Sequence, residues 1–255
     1  MSNFVFGAQL YTLREVMKDE ESIAAGLKKL AEFGYKTVQL SAIPYAAANP
    51  KWFREECDKN GLKIISTHSD FGRMENDLDA LLGDHVAMGC VNMGIGAMPP
   101  EYRMTADGAR AFAKAAQPIA AKAKEAGINF IYHNHRFEFG REGDKTFMDI
   151  IMDGAPDLML LPDLYWVTAA GVAASDFLAK YLGRYNQVHF KDMKIVNDEC
   201  KFCEIGQGNM NYIALAEQLI EYGIKDIVVE QDICDGDPYD SLKMSIDYLK
   251  KVLCA

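Results

Sequence analysis

Short apolar runs alternate with longer helix-patterned segments from one end of the chain to the other, and this alternation most constrains the fold. It reads as strands joined by helical crossovers, and hence as a parallel sheet. Eight runs qualify as strands: residues 5–10, 37–41, 63–68, 90–95, 129–135, 158–161, 187–191 and 226–230. Helical patterns fill the intervals at 20–33, 50–60, 75–88, 105–126, 211–222 and 238–253, with shorter ones at 146–153 and 175–182. Five of these helices run into a glycine, at Gly34, Gly61, Gly89, Gly127 and Gly223, just ahead of the next strand. Glycine is the usual helix stop because it enters the left-handed region without steric cost.

Eight βα units permit a closed barrel, an open doubly wound sheet or two domains. An open dinucleotide-binding sheet should carry G-x-G-x-x-G after its first strand. Here that strand leads into Gln9-Leu10-Tyr11-Thr12-Leu13-Arg14, and Gly94-Ile95-Gly96 is too short for the fingerprint. No Pro/Gly/Ser linker marks a boundary. The 255 residues also match the roughly 250 of one (β/α)8 barrel. The expectation is an α/β protein with a single TIM barrel domain over residues 1–255.

The net charge of −10 argues against a phosphate-backbone partner, which needs clustered Lys and Arg. No membrane contact is expected, since no run of 18 apolar residues occurs. The opening Met1-Ser2-Asn3-Phe4-Val5-Phe6 has no signal-peptide pattern, so a cytoplasmic setting is expected. The six cysteines are scattered rather than set out as a disulfide framework. Cys200-x-x-Cys203 lacks the second pair of a zinc ribbon and reads as two reduced thiols in a polar loop.

A barrel of this kind places its active site at the C-terminal ends of its strands. The fifth run ends Tyr132-His133-Asn134-His135-Arg136-Phe137-Glu138, and the sixth ends Leu161-Pro162-Asp163. The seventh reads Val188-His189-Phe190-Lys191-Asp192, and the eighth Val228-Val229-Glu230-Gln231-Asp232. Four consecutive strands thus bring Glu138, Asp163, His189 and Glu230 to one rim. Three carboxylates and an imidazole in a partly desolvated mouth repel unless a cation or protons intervene. One divalent metal ion resolves this: Mn, Mg, Co, Zn or Fe, with Mn preferred. His133 and His135, two apart, face one side if both lie on the strand. Either is a candidate metal ligand in place of Glu138 or a proton carrier, and His133 is equally a buried, satisfied histidine. Gln9 and Tyr11 after strand one, and His68 ending strand three, fit recognition of substrate hydroxyls, and His133 lines the same pocket. Lys191 is placed to reach a substrate oxygen, and Trp166 to form an apolar wall. Gly206-Gln207-Gly208 reads as a turn or as a close backbone approach to a ligand.

Together, Tyr132 to Phe139, Asp163-Leu164-Tyr165-Trp166-Val167, His189-Phe190-Lys191-Asp192-Met193 and Glu230-Gln231-Asp232 resemble the sugar phosphate isomerase/epimerase family of the xylose isomerase-like TIM barrels. Gly7-Ala8-Gln9-Leu10-Tyr11-Thr12-Leu13-Arg14 is similar to that family's first strand, and Gly206-Gln207-Gly208 to its Gly-acidic-Gly loop with Gln for Glu. The resemblance implies a metal held by Glu138, Asp163, His189 and Glu230. Tyr132 stands where sugar 3-epimerases carry a Glu, so Glu138 or His135 substitutes. The His-Asn-His form resembles inosose dehydratases and enzymes that cleave 3-keto-glycosides. The implied chemistry is removal of a proton beside a metal-bound carbonyl, with Glu138, Glu230 and His135 exchanging protons. Such an enzyme isomerises or epimerises a small carbohydrate. The alternative is a lyase that dehydrates a keto-inositol or eliminates from a 3-keto-glycoside. A non-catalytic sugar-binding barrel and a DNA-repair endonuclease are further readings. Five His and an acidic charge oppose the endonuclease. A homo-oligomer or a small partner subunit is compatible with this class.

Overall fold

The structure is a computed structural model that describes residues 4–254. Met1, Ser2 and Asn3, on which part of the N-terminal reading rests, lie outside the described residues, as does Ala255. Eight strands belong to one parallel sheet: β1 (Val5–Gln9), β2 (Thr37–Leu40), β3 (Lys63–His68), β4 (Asn92–Ile95), β5 (Asn129–His133), β6 (Met159–Leu161), β7 (Gln187–Phe190) and β8 (Asp226–Val229). A helix follows each one, which is the (β/α)8 architecture expected from the sequence.

The chain divides into two compact units, one of residues up to 65 and from 186 onward, the other of residues 66–185. In the first, β2, β1, β8 and β7 lie side by side, with Gly7 opposite Thr37, Ala8 opposite Val229, and Val228 opposite His189. Its core includes Ala8, Val38, Val188, Phe190, Ile227 and Val228, all fully buried. In the second, the end of β3 is followed by β4, β5 and β6, with Thr67 opposite Met93, Gly94 opposite Ile131, and Tyr132 opposite Leu160. The helix Ala106–Glu125 lays Phe112, Ala116, Ala120 and Ala123 inward there. Pro118 sits inside that helix, whose buried small-residue face holds it together despite the missing backbone donor.

The helix Glu20–Phe33 has the expected bounds, and Asp19 and Ser22 form a reciprocal cap at its start. Gly34 closes it with φ +99°, and Gly61, Gly89, Gly127 and Gly223 also have positive φ. The helix expected over 75–88 is instead two, Phe71–Asn76 and Leu78–Met88, broken at Asp77 where φ is −145° and ψ 39°.

Seven of the eight strands are shorter than expected, and five of them stop early at the C-terminal end. Leu10, Ser41, His135, Lys191 and Glu230 lie past the strand ends, with the Glu230 N–H still donating to the Phe190 carbonyl at 3.1 Å. At those ends the chain turns away from pairing and delivers side chains to the loops.

Two hairpins were not foreseen, Arg141–Glu142 with Lys145–Thr146, and Asp192–Val196 with Glu199–Cys203. The second turns at Asn197 and Asp198 with φ of +53° and +65°, a left-handed pair suited to a tight hairpin. Cys200 and Cys203 lie on its return strand, one exposed and one buried, and both are free thiols. No described helix is long and apolar enough to cross a membrane.

Gly94 shows how tightly β3 and β4 approach. A Cβ there would lie 2.5 Å from the Thr67 carbonyl oxygen and 2.8 Å from Ile131 Cγ1. Gly94→Ala is expected to lower stability by about 1–3 kcal/mol. Urea unfolding measures this, and an unchanged midpoint would contradict the packing.

Candidate metal site

The second unit holds His133 and Asp163. β5 ends at His133, so His135 lies beyond the strand in the turn that follows, not two places along it as expected. The His133 ring is buried and bonded at both nitrogens. Nδ1 lies 2.9 Å from the Gly96 carbonyl oxygen, and Nε2 lies 3.1 Å from Asp163 Oδ2. A carbonyl only accepts, so Nδ1 carries a proton and Nε2 presents the other face of the ring to the carboxylate.

Asp163 is fixed just as firmly. Its Oδ1 accepts from the Trp166 backbone N–H at 3.0 Å, capping the helix Leu164–Ala169 and leaving Oδ2 for His133. Asn134 clamps the Asp163 backbone: its Oδ1 accepts from Asp163 N–H at 2.9 Å, and its Nδ2 donates to the Asp163 carbonyl at 3.3 Å. Sequence reading assigned no role to this Asn. Its signal in the sequence was its place between two histidines, and in the structure it is wholly buried.

Glu138 departs from the expected ligand role. It is wholly buried, and both carboxylate oxygens are engaged by the chain: Oε1 accepts from Tyr132 Oη at 2.6 Å and Oε2 from the His135 backbone N–H at 2.9 Å. The strand-five residue facing Asp163 is His133. Burial drives the Glu138 carboxyl up to about 7, against the opposing pull of the Tyr132 hydroxyl and the backbone donors. The half-buried His135 ring stacks on Phe137 at 5.6 Å and lies 5.3 Å from Trp166, between centroids. His68 ends β3 with its ring 5.3 Å from that of His133.

The first unit holds His189 and Glu230. His189, on β7, is wholly buried; Nδ1 lies 2.9 Å from Glu230 Oε2, and Nε2 lies 2.5 Å from Gln39 Oε1 on β2. Lys191, 1% exposed, places Nζ 2.9 Å from Glu230 Oε2 and 2.8 Å from Asp232 Oδ1. A buried ammonium demands such partners. Lys191 therefore steadies Glu230, where the sequence suggested a reach towards substrate. Gln9 Oε1 accepts from Tyr11 N–H at 3.3 Å, capping the short helical turn Leu10–Leu13, and the Arg14 guanidinium lies 3.9 Å over the Tyr11 ring. Gln39 and Asp232 were given no role from sequence, because neither the polar residue in the middle of a short strand nor the last of three polar residues stands out without its neighbours.

Asp192 organises the loop after the long hairpin. Its carboxylate accepts from the backbone N–H groups of Met193, Gly206, Gly208 and Met210. A Cβ on Gly208 would lie 2.3 Å from Asp192 Oδ1, so the glycines of Gly206-Gln207-Gly208 serve a turn closed on this carboxylate. Gln207 itself is exposed.

His133, Asp163, His189 and Glu230 are all buried and form a group of residue types able to hold a metal ion. In each unit one imidazole is tied at one nitrogen to an oxygen of the chain and turns the other towards a carboxylate.

The Glu138 carboxyl gives a pH test. Its folded-state value lies above the ordinary 4.5, so the folded protein holds a proton that the unfolded chain releases. Stability from this group is present below about 4.5 and is lost as pH rises towards about 7. The loss is about 3–4 kcal/mol. Urea unfolding from pH 4.5 to 8 should show this fall in the native protein and its absence in Glu138→Gln; equal pH profiles would contradict the assignment.

A family model described as xylose isomerase-like TIM barrel matches residues 27–252. Two solved structures of sugar phosphate isomerases/epimerases from Parabacteroides distasonis ATCC 8503 are similar. One has a TM-score of 0.81 at 21% identity, over 99% of this chain and 96% of the other. The second has a TM-score of 0.80 at 24% identity, over 97% and 98%. The probable 3-DHS dehydratase AsbF of Bacillus anthracis superposes with a TM-score of 0.74 at 11% identity, over 98% of each chain. No curated protein matches the chain. With the family model spanning most of its length, the chain belongs to the xylose isomerase-like TIM barrel family.

Proposed function

We propose that the protein is a metal-dependent isomerase or epimerase of a small carbohydrate, acting by removal of a proton beside a carbonyl. The observation that carries this reading is the paired arrangement of imidazole and carboxylate in each unit. A bare nitrogen lone pair set 2.9–3.1 Å from a carboxylate oxygen is repulsive unless a proton or a cation lies between. Strands β5 to β8 are consecutive, and in a TIM barrel the ends of consecutive strands open on a common rim. His133, Asp163, His189 and Glu230 would then hold one divalent ion.

Exchanging the expected Glu138 for His133 changes the donor set from one nitrogen and three oxygens to two of each. Imidazole suits Zn and Fe and carboxylate suits Mn, whereas Mg favours oxygen alone, so the set now leans away from Mg. A divalent ion bound there would polarise a substrate carbonyl and acidify the neighbouring C–H.

The chain's own groups do the rest. His135, half-buried between Phe137 and Trp166, takes the proton and returns it. Glu138 holds the His135 backbone in place from behind. The Trp166 ring supplies an apolar face for a sugar ring, and Lys191 orients Glu230. The names of the Parabacteroides relatives support the isomerase or epimerase outcome. Elimination is the second reading: it shares the first step, His135 is equally suited to protonate a leaving hydroxyl, and a dehydratase stands among the similar structures. A net charge of −10 weighs against nucleic acid as substrate, although an AP endonuclease, family 2, from Brucella melitensis shares the fold at 16% identity.

The test is solvent exchange. The protein is incubated in D2O with ketoses, keto-inositols and 3-keto-glycosides, and C–H exchange and products are followed by NMR. Exchange should vanish after chelation and return with Mn. Asp163→Asn and His133→Asn should each lower it by at least about 100-fold. Exchange that survives chelation and both substitutions would end the proposal.

A further inference from the structure

We infer that Gln39 is a positioning residue that fixes the tautomer of His189 and makes Nδ1, rather than Nε2, the nitrogen offered to a metal ion. The inference rests on the metal site proposed above.

Gln39 lies in β2, wholly buried, and presents Oε1 to His189 Nε2 at 2.5 Å. An amide oxygen only accepts, so the Nε2 facing it carries the ring proton. The lone pair is then left on Nδ1, the nitrogen that faces Glu230 Oε2 at 2.9 Å. Ligating histidines characteristically donate their other N–H to an acceptor of the protein, which fixes the ring and raises its basicity. His133 follows the same plan with opposite polarity, Nδ1 tied to the Gly96 carbonyl and Nε2 turned to Asp163.

A second observation sets Gln39 apart from an ordinary buried amide. Its Nε2 is buried and has no hydrogen-bond partner among the described residues. An unsatisfied buried donor is costly and is rarely kept for packing alone. The side chain thus sits where its oxygen satisfies His189 while its nitrogen goes unmet. That arrangement suits a site whose occupant completes it.

Two substitutions separate the roles. Gln39→Glu keeps an acceptor opposite Nε2, and Gln39→Leu keeps the bulk and removes it. Mn(II) is titrated into metal-free native protein and both variants, with free ion read by electron paramagnetic resonance and folding checked by circular dichroism. The native protein should bind one equivalent. Gln39→Leu should bind about 10–100-fold more weakly, and Gln39→Glu within about threefold of native. Native protein that binds no ion would end the metal reading itself. Native binding with an unaltered Gln39→Leu, or with Gln39→Glu as weak as Gln39→Leu, would overturn the role of Gln39 alone. Should Gln39→Leu fail to fold, 15N NMR of the native protein loaded with Zn decides: a proton on His189 Nε2 is expected, and a proton on Nδ1 refutes it.

Discussion

Two buried histidines, each fastened at one nitrogen to an oxygen of the chain and turned at the other towards a carboxylate, are the constraint on which the rest of the site depends. A bare imidazole nitrogen and an ionised carboxylate do not sit at hydrogen-bonding distance without a positive charge between them. Gly96 decides which nitrogen of His133 is turned to its carboxylate, and Gln39 does the same for His189. The surrounding contacts hold the carboxylates to match. Asp163 is capped by the Trp166 N–H and clamped by Asn134, while Glu230 is held by the buried Lys191. None of these partners would be needed by a rim of solvated polar residues.

The barrel strands serve that arrangement by ending early. β5 stops at His133, β7 at Phe190 and β8 at Val229, so His135, Lys191 and Glu230 lie past the strand ends. His135 and Glu138 show the consequence. Released from the strand, the chain folds back so that the Glu138 carboxylate reaches Tyr132 and the His135 N–H, and the His135 ring turns between two aromatic neighbours. A motif that reads as one run of polar residues becomes two layers: His133 beside Asp163, and Glu138 behind the loop that carries His135.

The fold was legible because its signals are local and repeated. Apolar runs, helical periodicity and glycine stops recur in each unit, and the helices Glu20–Phe33 and Pro238–Leu253 have the bounds the pattern implies. Asp163, His189 and Glu230 were legible for a related reason: each follows an apolar run and ends it with a group that repels its neighbours. What stayed hidden depends on contacts between distant residues. Gln39 acts on a ring 150 positions away, and the Gly96 carbonyl acts through a backbone atom that no side-chain pattern reports. The contacts of Glu138 with Tyr132 and the His135 N–H were hidden because spacing along a strand says nothing of a chain that has left it. The hairpin Asp192–Val196 with Glu199–Cys203 had its signal in Asn197-Asp198, a turn pair inside what reads as a polar loop.

The central claim is tested most directly by anomalous diffraction at the Mn edge from crystals of the Mn-loaded protein. A single peak bonded to His133 Nε2, Asp163, His189 Nδ1 and Glu230, with Glu138 still on Tyr132, is the result predicted here. A peak bonded to Glu138 in place of His133, to His189 through Nε2, or to none of these groups would contradict it.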